Sequence, residues 1–280
     1  MTQLTRQPKN SLRGIELVRR LSTAQERVFS IERARDLAPD VGMKQTYVAE
    51  ALHHLRSTGW IVPIKRGVYA VSSMVPGVAA VHEYEVAMAL VEPAAISHWS
   101  AMHYHGLTEQ IPRTVFVLTT IESPVLTNTA GSSPESRGLF RAGSATYRFI
   151  RVKPDRYFGT LTAWVGEARF TVTDPERTLL DGLSRPWYCG DFGEVMNAFA
   201  TRRDQLDLGR ITDYALKLSI ATAKRLGWVL EQLGISGSEL SRIEDVPIKS
   251  VRRLVANGPD RGPYDRRWML RINLPGASPR

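Results

Sequence analysis

The chain holds one cysteine, Cys189, in 280 residues. A lone thiol excludes an internal disulfide framework and a cysteine-rich zinc cluster. No apolar run reaches the roughly eighteen residues of a membrane-crossing helix. The start, Met1 to Asn10, is polar and lacks the apolar stretch of a signal peptide. The expected location is therefore cytoplasmic, with no membrane partner. Several catalytic frames are missing as well: there is no P-loop, GxGxxG, GxSxG or HExxH. His98, His103 and His105 lie close together, but not in a metal-binding frame, and the neighbours His53 and His54 lack ligand spacing too. No metal, no cofactor and no enzymatic activity are expected.

What is present is positive charge, unevenly spread. The formal net charge is +9. Residues 1–73 carry 12 Lys and Arg against 6 Asp and Glu; residues 74–200 carry 10 against 13; residues 201–280 carry 15 against 9. Both ends are basic and the middle is mildly acidic, which favours a polyanionic partner. Seven of the 37 cations are Lys. Arginine suits bidentate contacts to phosphate and guanine, although a GC-rich genome produces the same bias.

The basic N-terminal part has a readable order of elements. Leu12, Ile15, Val18 or Leu17, and Leu21 recur at helical spacing and predict a first helix over 11–21. Ser30 is a good N-cap for a short second helix carrying Ile31, Ala34, Leu37 and Ala38 on one face. Pro39 to Gly42 marks a turn. A third helix is expected over 44–57, with Val48, Leu52 and Leu55 as its apolar stripe and Gly59 as its stop. Two short strands follow, 60–64 and 68–71, joined by the basic turn Lys65-Arg66-Gly67. This is the order of a winged helix-turn-helix, whose third helix enters the major groove and whose wing meets the backbone or the minor groove. The face of the third helix opposite Leu52 carries Met43, Thr46, Tyr47, Glu50, His54 and Ser57. The expected DNA contacts are Ser30, Lys44, Gln45, Thr46, Tyr47, Glu50, His54, Lys65 and Arg66.

Residues 74–280 read as a larger mixed domain, so the whole chain is expected to be α+β. Residues 72–80 contain Pro76 and Gly77 and are expected to be a linker, and 123–138 a loop rich in Ser, Thr, Pro and Gly. Helices are predicted over 82–91 and from 97 or 100 to 105, with strands at 94–97, 115–119, 147–152 and 168–173. Asp174-Pro175-Glu176-Arg177 is a helix start with an Asp cap and Pro in the first turn. A helical sub-part is expected from about 201, with helices at 206–218 and 222–233 and a closing strand at 268–273. Glu176, Arg177 and Asp181 fall within helical reach and read as a packing ion pair rather than a catalytic cluster. Cys189 has no neighbouring His to act as its base and reads as a buried structural residue.

In combination these segments resemble the AbiEi-family antitoxins. The resemblance rests on Gly-Trp-Ile-Val-Pro-Ile-Lys-Arg-Gly-Val-Tyr at 59–69, Ala-Ile-Ser-His-Trp-Ser-Ala at 95–101 with His105-Gly106-Leu107, and Asp-Pro-Glu-Arg-Thr-Leu-Leu-Asp at 174–181. It runs from residue 11 to about 273 and is similar to the mycobacterial members. It implies an antitoxin that binds inverted repeats in the promoter of its own operon. It also implies neutralisation of a nucleotidyltransferase-like toxin, with or without direct contact, and self-association on DNA. One winged helix covers roughly 600–1,000 Å² of DNA, so two copies on adjacent half-sites are expected. The alternative is a transcription regulator whose C-terminal part senses a ligand or oligomerises, with no toxin.

Overall fold

A computed structural model describes residues 9–24, 26–72, 81–121, 139–142 and 145–274, with side chains from residue 12 onward. Most of the expected linker at 72–80 and all of the expected loop at 123–138 lie outside the described residues. The chain divides into two compact units. The first comprises Met1–Ala94, Ile121–Tyr147 and Ala163–Phe170; the second comprises Ala95–Thr120, Arg148–Thr162 and Thr171–Arg280. Helices and sheets together make the chain α+β.

The first unit opens with helix α1 (Lys9–Thr23), strand β1 (Val28–Ser30) and helix α2 (Ile31–Leu37). A 3-10 turn at Pro39–Val41 ends on Gly42, whose φ of 67° closes the turn. A second 3-10 turn, Gln45–Tyr47, leads into α3 (Val48–Ser57), and strands β2 (Ile61–Lys65) and β3 (Val68–Val71) form a hairpin. Leu17, Val18 and Leu21 of α1, Ala34 of α2 and Leu52 and Leu55 of α3 share one buried core with Ile61 and Val71. Leu12, expected on the packed face of α1, is 64% exposed, because the core reaches only the later turns of that helix.

The sheet corrects the expected two-stranded hairpin. It has three strands in the order β1-β3-β2, with Phe29 opposite Tyr69. Three residues are too few for alternation to show in sequence, and β1 runs straight into the cap of α2. The unit continues with α4 (Glu83–Leu90), capped by His82, whose Nδ1 accepts from the Tyr84 amide at 3.1 Å. Arg27 is buried; its guanidinium pairs with Glu85 at 2.9 Å and Glu167 at 3.3 Å.

The second unit contains β4 (Ala95–Ile96), α5 (His98–Tyr104) and β5 (Thr114–Thr119). A six-stranded sheet has the order β6-β7-β5-β4-β9-β8, where β6 is Leu139–Ala142, β7 Ala145–Arg151, β8 Thr160–Val165 and β9 Ala168–Thr173. β4 is antiparallel to β5 and parallel to β9, with Ile96 opposite Val117 and Val172. Helices α6 (Pro175–Ser184), α7 (Phe192–Arg202), α8 (Leu208–Leu218), α9 (Ile220–Gln232) and α10 (Ser238–Glu244) follow. The expected closing strand shrinks to β12 (Leu270–Arg271), flanked by β10 (Arg252–Arg253) and β11 (Tyr264–Asp265). Met269, the second residue of the expected strand, has a φ of 52°, which breaks extended pairing there.

α6 is the central helix of this unit. Its residues from Glu176 to Leu183 are all buried, so it meets protein all round. Leu179, Leu180 and Leu183 join Val195 and Phe199 of α7 and Leu226, Val229 and Leu230 of α9 in one core. Gly227 of α9 lies flat against the Trp268 ring, where any Cβ would overlap it. No helix among the described residues is long and apolar enough to cross a membrane.

Candidate nucleic-acid interface

The approach to α3 is set by its sequence. Lys44 is extended (φ −72°, ψ 139°) and the Tyr47 amide donates to its carbonyl at 2.9 Å. Gln45, Thr46 and Tyr47 therefore wind as a 3-10 turn, and the α-helix begins at Val48 rather than at 44. Val48, Ala51, Leu52 and Leu55 turn inward. At the far end, the Trp60 amide donates to the Leu55 carbonyl at 2.9 Å around Gly59, whose φ of 78° stops the helix.

The opposite face is polar and solvent-facing. Lys44, Gln45, Thr46, Tyr47, Glu50 and His54 are all exposed, Tyr47 to 44%. Met43 is a correction: it is 2% exposed and sits in the core, because it precedes the helical segment and helical spacing does not govern it.

Two of the expected contacts have other work. Ser30 is the N-cap of α2, and its hydroxyl accepts from the Arg33 amide at 3.1 Å. Lys65 is half-buried and donates its ammonium to the Leu90 carbonyl at 2.8 Å, at the end of α4. Burial pushes the pKa of Lys65 below its ordinary value. Of the two cations at the hairpin tip, Arg66 is the exposed one. The turn itself is anchored: Gly67 has a φ of 76°, and its carbonyl accepts from the Ile31 amide at 2.8 Å. The start of α2 thus holds the tip in place. Arg33 is tied up as a bidentate pair with Glu26 at 2.6 Å.

In the second unit, the acidic and basic residues of α6 are neutralised locally. Arg177 Nε donates to Asp181 Oδ1 at 3.0 Å, and Arg177 Nη1 donates to the carbonyls of Arg156 and Phe158. Glu176 faces Arg210 at 3.7 Å. Asp174 accepts from the Arg177 amide at 2.7 Å and from the Tyr214 hydroxyl at 3.0 Å. Burial raises the Asp174 pKa from its ordinary value, against those bonds. Cys189 is buried, and desolvation raises its thiol pKa well above the ordinary value, so it is a poor nucleophile. Among the described residues no group of three His, Cys, Asp or Glu is placed to hold a metal ion. The fold also brings Arg185 and Arg225 to the same cavity as Arg177. No periodicity links them.

No family model and no curated protein matches the chain. A crystal structure of the RV2827C protein from Mycobacterium tuberculosis has a similar fold, with a TM-score of 0.63 at 16% sequence identity. The match covers 94% of this chain and 91% of that one.

Proposed function

We propose that the first unit binds duplex DNA as a winged helix-turn-helix, and that the chain is an AbiEi-type antitoxin that represses its own operon. On this reading α3 is the recognition helix, entering the major groove from Gln45, Thr46 and Tyr47, and the β2–β3 hairpin is the wing. The observation that carries it is the exposed polar run from Lys44 to Tyr47 and on through Glu50 and His54, on the side of α3 away from its core. The hairpin with exposed Arg66 supports the same reading. The antitoxin part rests on the sequence resemblance at 59–69, 95–107 and 174–181. No catalytic role is assigned to any residue, and the partners are promoter DNA with inverted repeats, a second copy on DNA and a nucleotidyltransferase-like toxin.

Two experiments test the two parts separately. Binding of the full chain to its own upstream promoter fragment should saturate with two copies per inverted repeat, and Thr46→Ala should reorder the ranking of operator variants. No binding to either duplex removes the DNA reading, and equal affinity for promoter and scrambled duplex removes the autorepressor reading. Co-expression with the adjacent toxin-like gene should restore growth; failure to rescue removes the antitoxin reading and leaves DNA binding standing.

A further inference from the structure

A cavity of about 170 Å³ lies inside the second unit, between the end of α6 and the start of α9. Its wall carries four arginines, Arg156, Arg177, Arg185 and Arg225, against one carboxylate, Asp181. Arg177 and Asp181 pair with each other, so three guanidinium charges are left over. His98 lines the same wall, but burial pushes its pKa down to about 4 and it adds no charge at neutral pH.

The surplus is not answered by the protein. Arg225 is 8% exposed, and its Nε and Nη2 donate to the Arg253 carbonyl at 3.1 and 3.0 Å. Among the described residues neither Arg225 nor half-buried Arg185 has a carboxylate within ion-pair distance. Burial and the nearby Arg252 and Arg253 hold the Arg225 pKa down to about 10. Buried cations without counter-charge oppose folding unless an anion joins them.

Two further features say what kind of anion. The N-terminal end of the thirteen-residue helix α9 borders the cavity at Ser219 and Thr222, where the Ser219 hydroxyl caps the Thr222 amide at 3.0 Å, and its first turn has no acidic residue. Helix N-termini of this kind favour phosphate oxygens. Secondly, Asp181 Oδ2 is buried and has no hydrogen-bond partner. An ionised carboxylate only accepts, so that oxygen, on a residue that lines the cavity, is left wanting a donor.

We propose that this cavity binds a phosphoryl group that keeps one proton, either hydrogen phosphate or the monoprotonated end of a phosphate monoester. Arg185 and Arg225 take the charged oxygens, beside the positive end of the α9 dipole, and the P–O–H group donates to Asp181 Oδ2. Sulfate has the same shape and charge but no proton at neutral pH, so it sets a lone pair against that carboxylate oxygen and is rejected.

The test is calorimetric titration of the full chain at pH 7 and low ionic strength with inorganic phosphate, sulfate and adenosine monophosphate. Phosphate should bind, and sulfate should bind roughly tenfold or more weakly. Arg185→Ala should weaken phosphate by roughly tenfold while the ligand-free melting temperature holds or rises, because an unanswered cation is gone. Asp181→Asn should bring phosphate and sulfate within about threefold of each other. If that variant does not fold, Arg185→Ala still decides. Adenosine monophosphate binding more tightly than phosphate identifies a monoester as the source; equal or weaker binding identifies free phosphate. No binding of phosphate by the native chain, sulfate bound as tightly, or an unchanged Arg185→Ala overturns the proposal. None of these outcomes depends on whether the first unit binds DNA.

Discussion

Lys65 donates its ammonium to the backbone carbonyl of Leu90 at 2.8 Å, whereas the adjacent Arg66 is exposed. Two neighbouring cations at one hairpin tip thus have different surroundings. One caps the carbonyl end of α4, where a positive charge also meets the negative end of the helix dipole. The other is available to a phosphate.

The two should separate on substitution. Arg66→Ala is expected to weaken binding to every duplex alike and to reduce the log–log salt slope by about 1. Lys65→Met should leave that slope nearly unchanged and instead lower stability by about 1.5 kcal/mol, the low end for a hydrogen bond made by a charged group. Fluorescence anisotropy across a NaCl series and urea unfolding measure the two effects. A larger slope change for Lys65→Met than for Arg66→Ala would reverse the assignment.

Arg27 and Glu85 form a buried pair in the first unit, with side-chain exposures of 4% and 14%. Burial raises the Glu85 pKa despite the Arg27 charge beside it, a sign that desolvation outweighs the attraction. Glu85→Ala leaves the guanidinium with Glu167, which is 59% exposed, as its remaining carboxylate among the described residues. The expected loss is about 3 kcal/mol by urea unfolding. The double change Arg27→Met with Glu85→Leu should recover most of it, since the packed volume is kept and no charge is stranded. A double variant as weak as the single one contradicts the desolvation account.

His98 is fully enclosed and titrates near pH 4 in the fold, against an ordinary 6.5. Its folded pKa is depressed, so between these values the unfolded chain binds the extra proton. Stability from this group is complete above about pH 6.5 and falls as pH drops toward 4, by up to about 3 kcal/mol. His98→Asn suits the backbone, whose φ is 50° at this position, because Asn tolerates the left-handed region. The variant should lose less stability than the native chain between pH 6.5 and 4.5 in urea titrations. Parallel curves for both would show that His98 is not the titrating group.

Gly227→Ala sets two effects against each other. Alanine gains about 1 kcal/mol of helix propensity over glycine. Its Cβ, however, would overlap the Trp268 ring, which is fully buried and held by its Nε1 donating to Glu231 at 2.8 Å. Overpacking a fixed ring costs about 1–3 kcal/mol or more, so the substitution should destabilise. Thermal melting with a rise in melting temperature would show that the ring yields easily.

The parts of the fold that were legible in the sequence are those decided within four or five residues. Ser30 and Asp174 each cap a helix through a side-chain oxygen, and Pro175 fits the first turn after Asp174. Strand β9 runs over 168–173 as its alternation predicts. What escaped was decided at a distance. Lys65 meets a carbonyl 25 residues on. Strand β1 owes its existence to β3, about forty residues later. Helix α7 has an Asp191 cap and buries Phe192, Val195, Ala198 and Phe199, yet the aromatic and glycine-rich stretch before it masks its start. Within the candidate DNA face, residues 44–47 precede the α-helix and owe their exposure to the 3-10 turn, whereas exposure of Glu50 and His54 follows from helical spacing once Leu52 is known to be inside. The inward turn of Lys65 does not, because hydropathy treats adjacent cations alike. The four cavity arginines come from the β7–β8 connection (Arg156), the two ends of α6 (Arg177 and Arg185) and the body of α9 (Arg225), and only the folded chain shows that they share a wall.

The hydrogen bond from the Ile31 amide to the Gly67 carbonyl has a consequence for the energetics of association. A free hairpin tip would have to be immobilised when it met a ligand, at about 1–2 kcal/mol for each residue ordered. Here the ordering is already complete in the unbound protein, and it belongs to the folding equilibrium. Encounter with a polyanion then needs to restrain little more than the Arg66 side chain. Association at this point should be fast, limited by electrostatic steering rather than by rearrangement, and should carry little of the heat-capacity change that marks coupled folding.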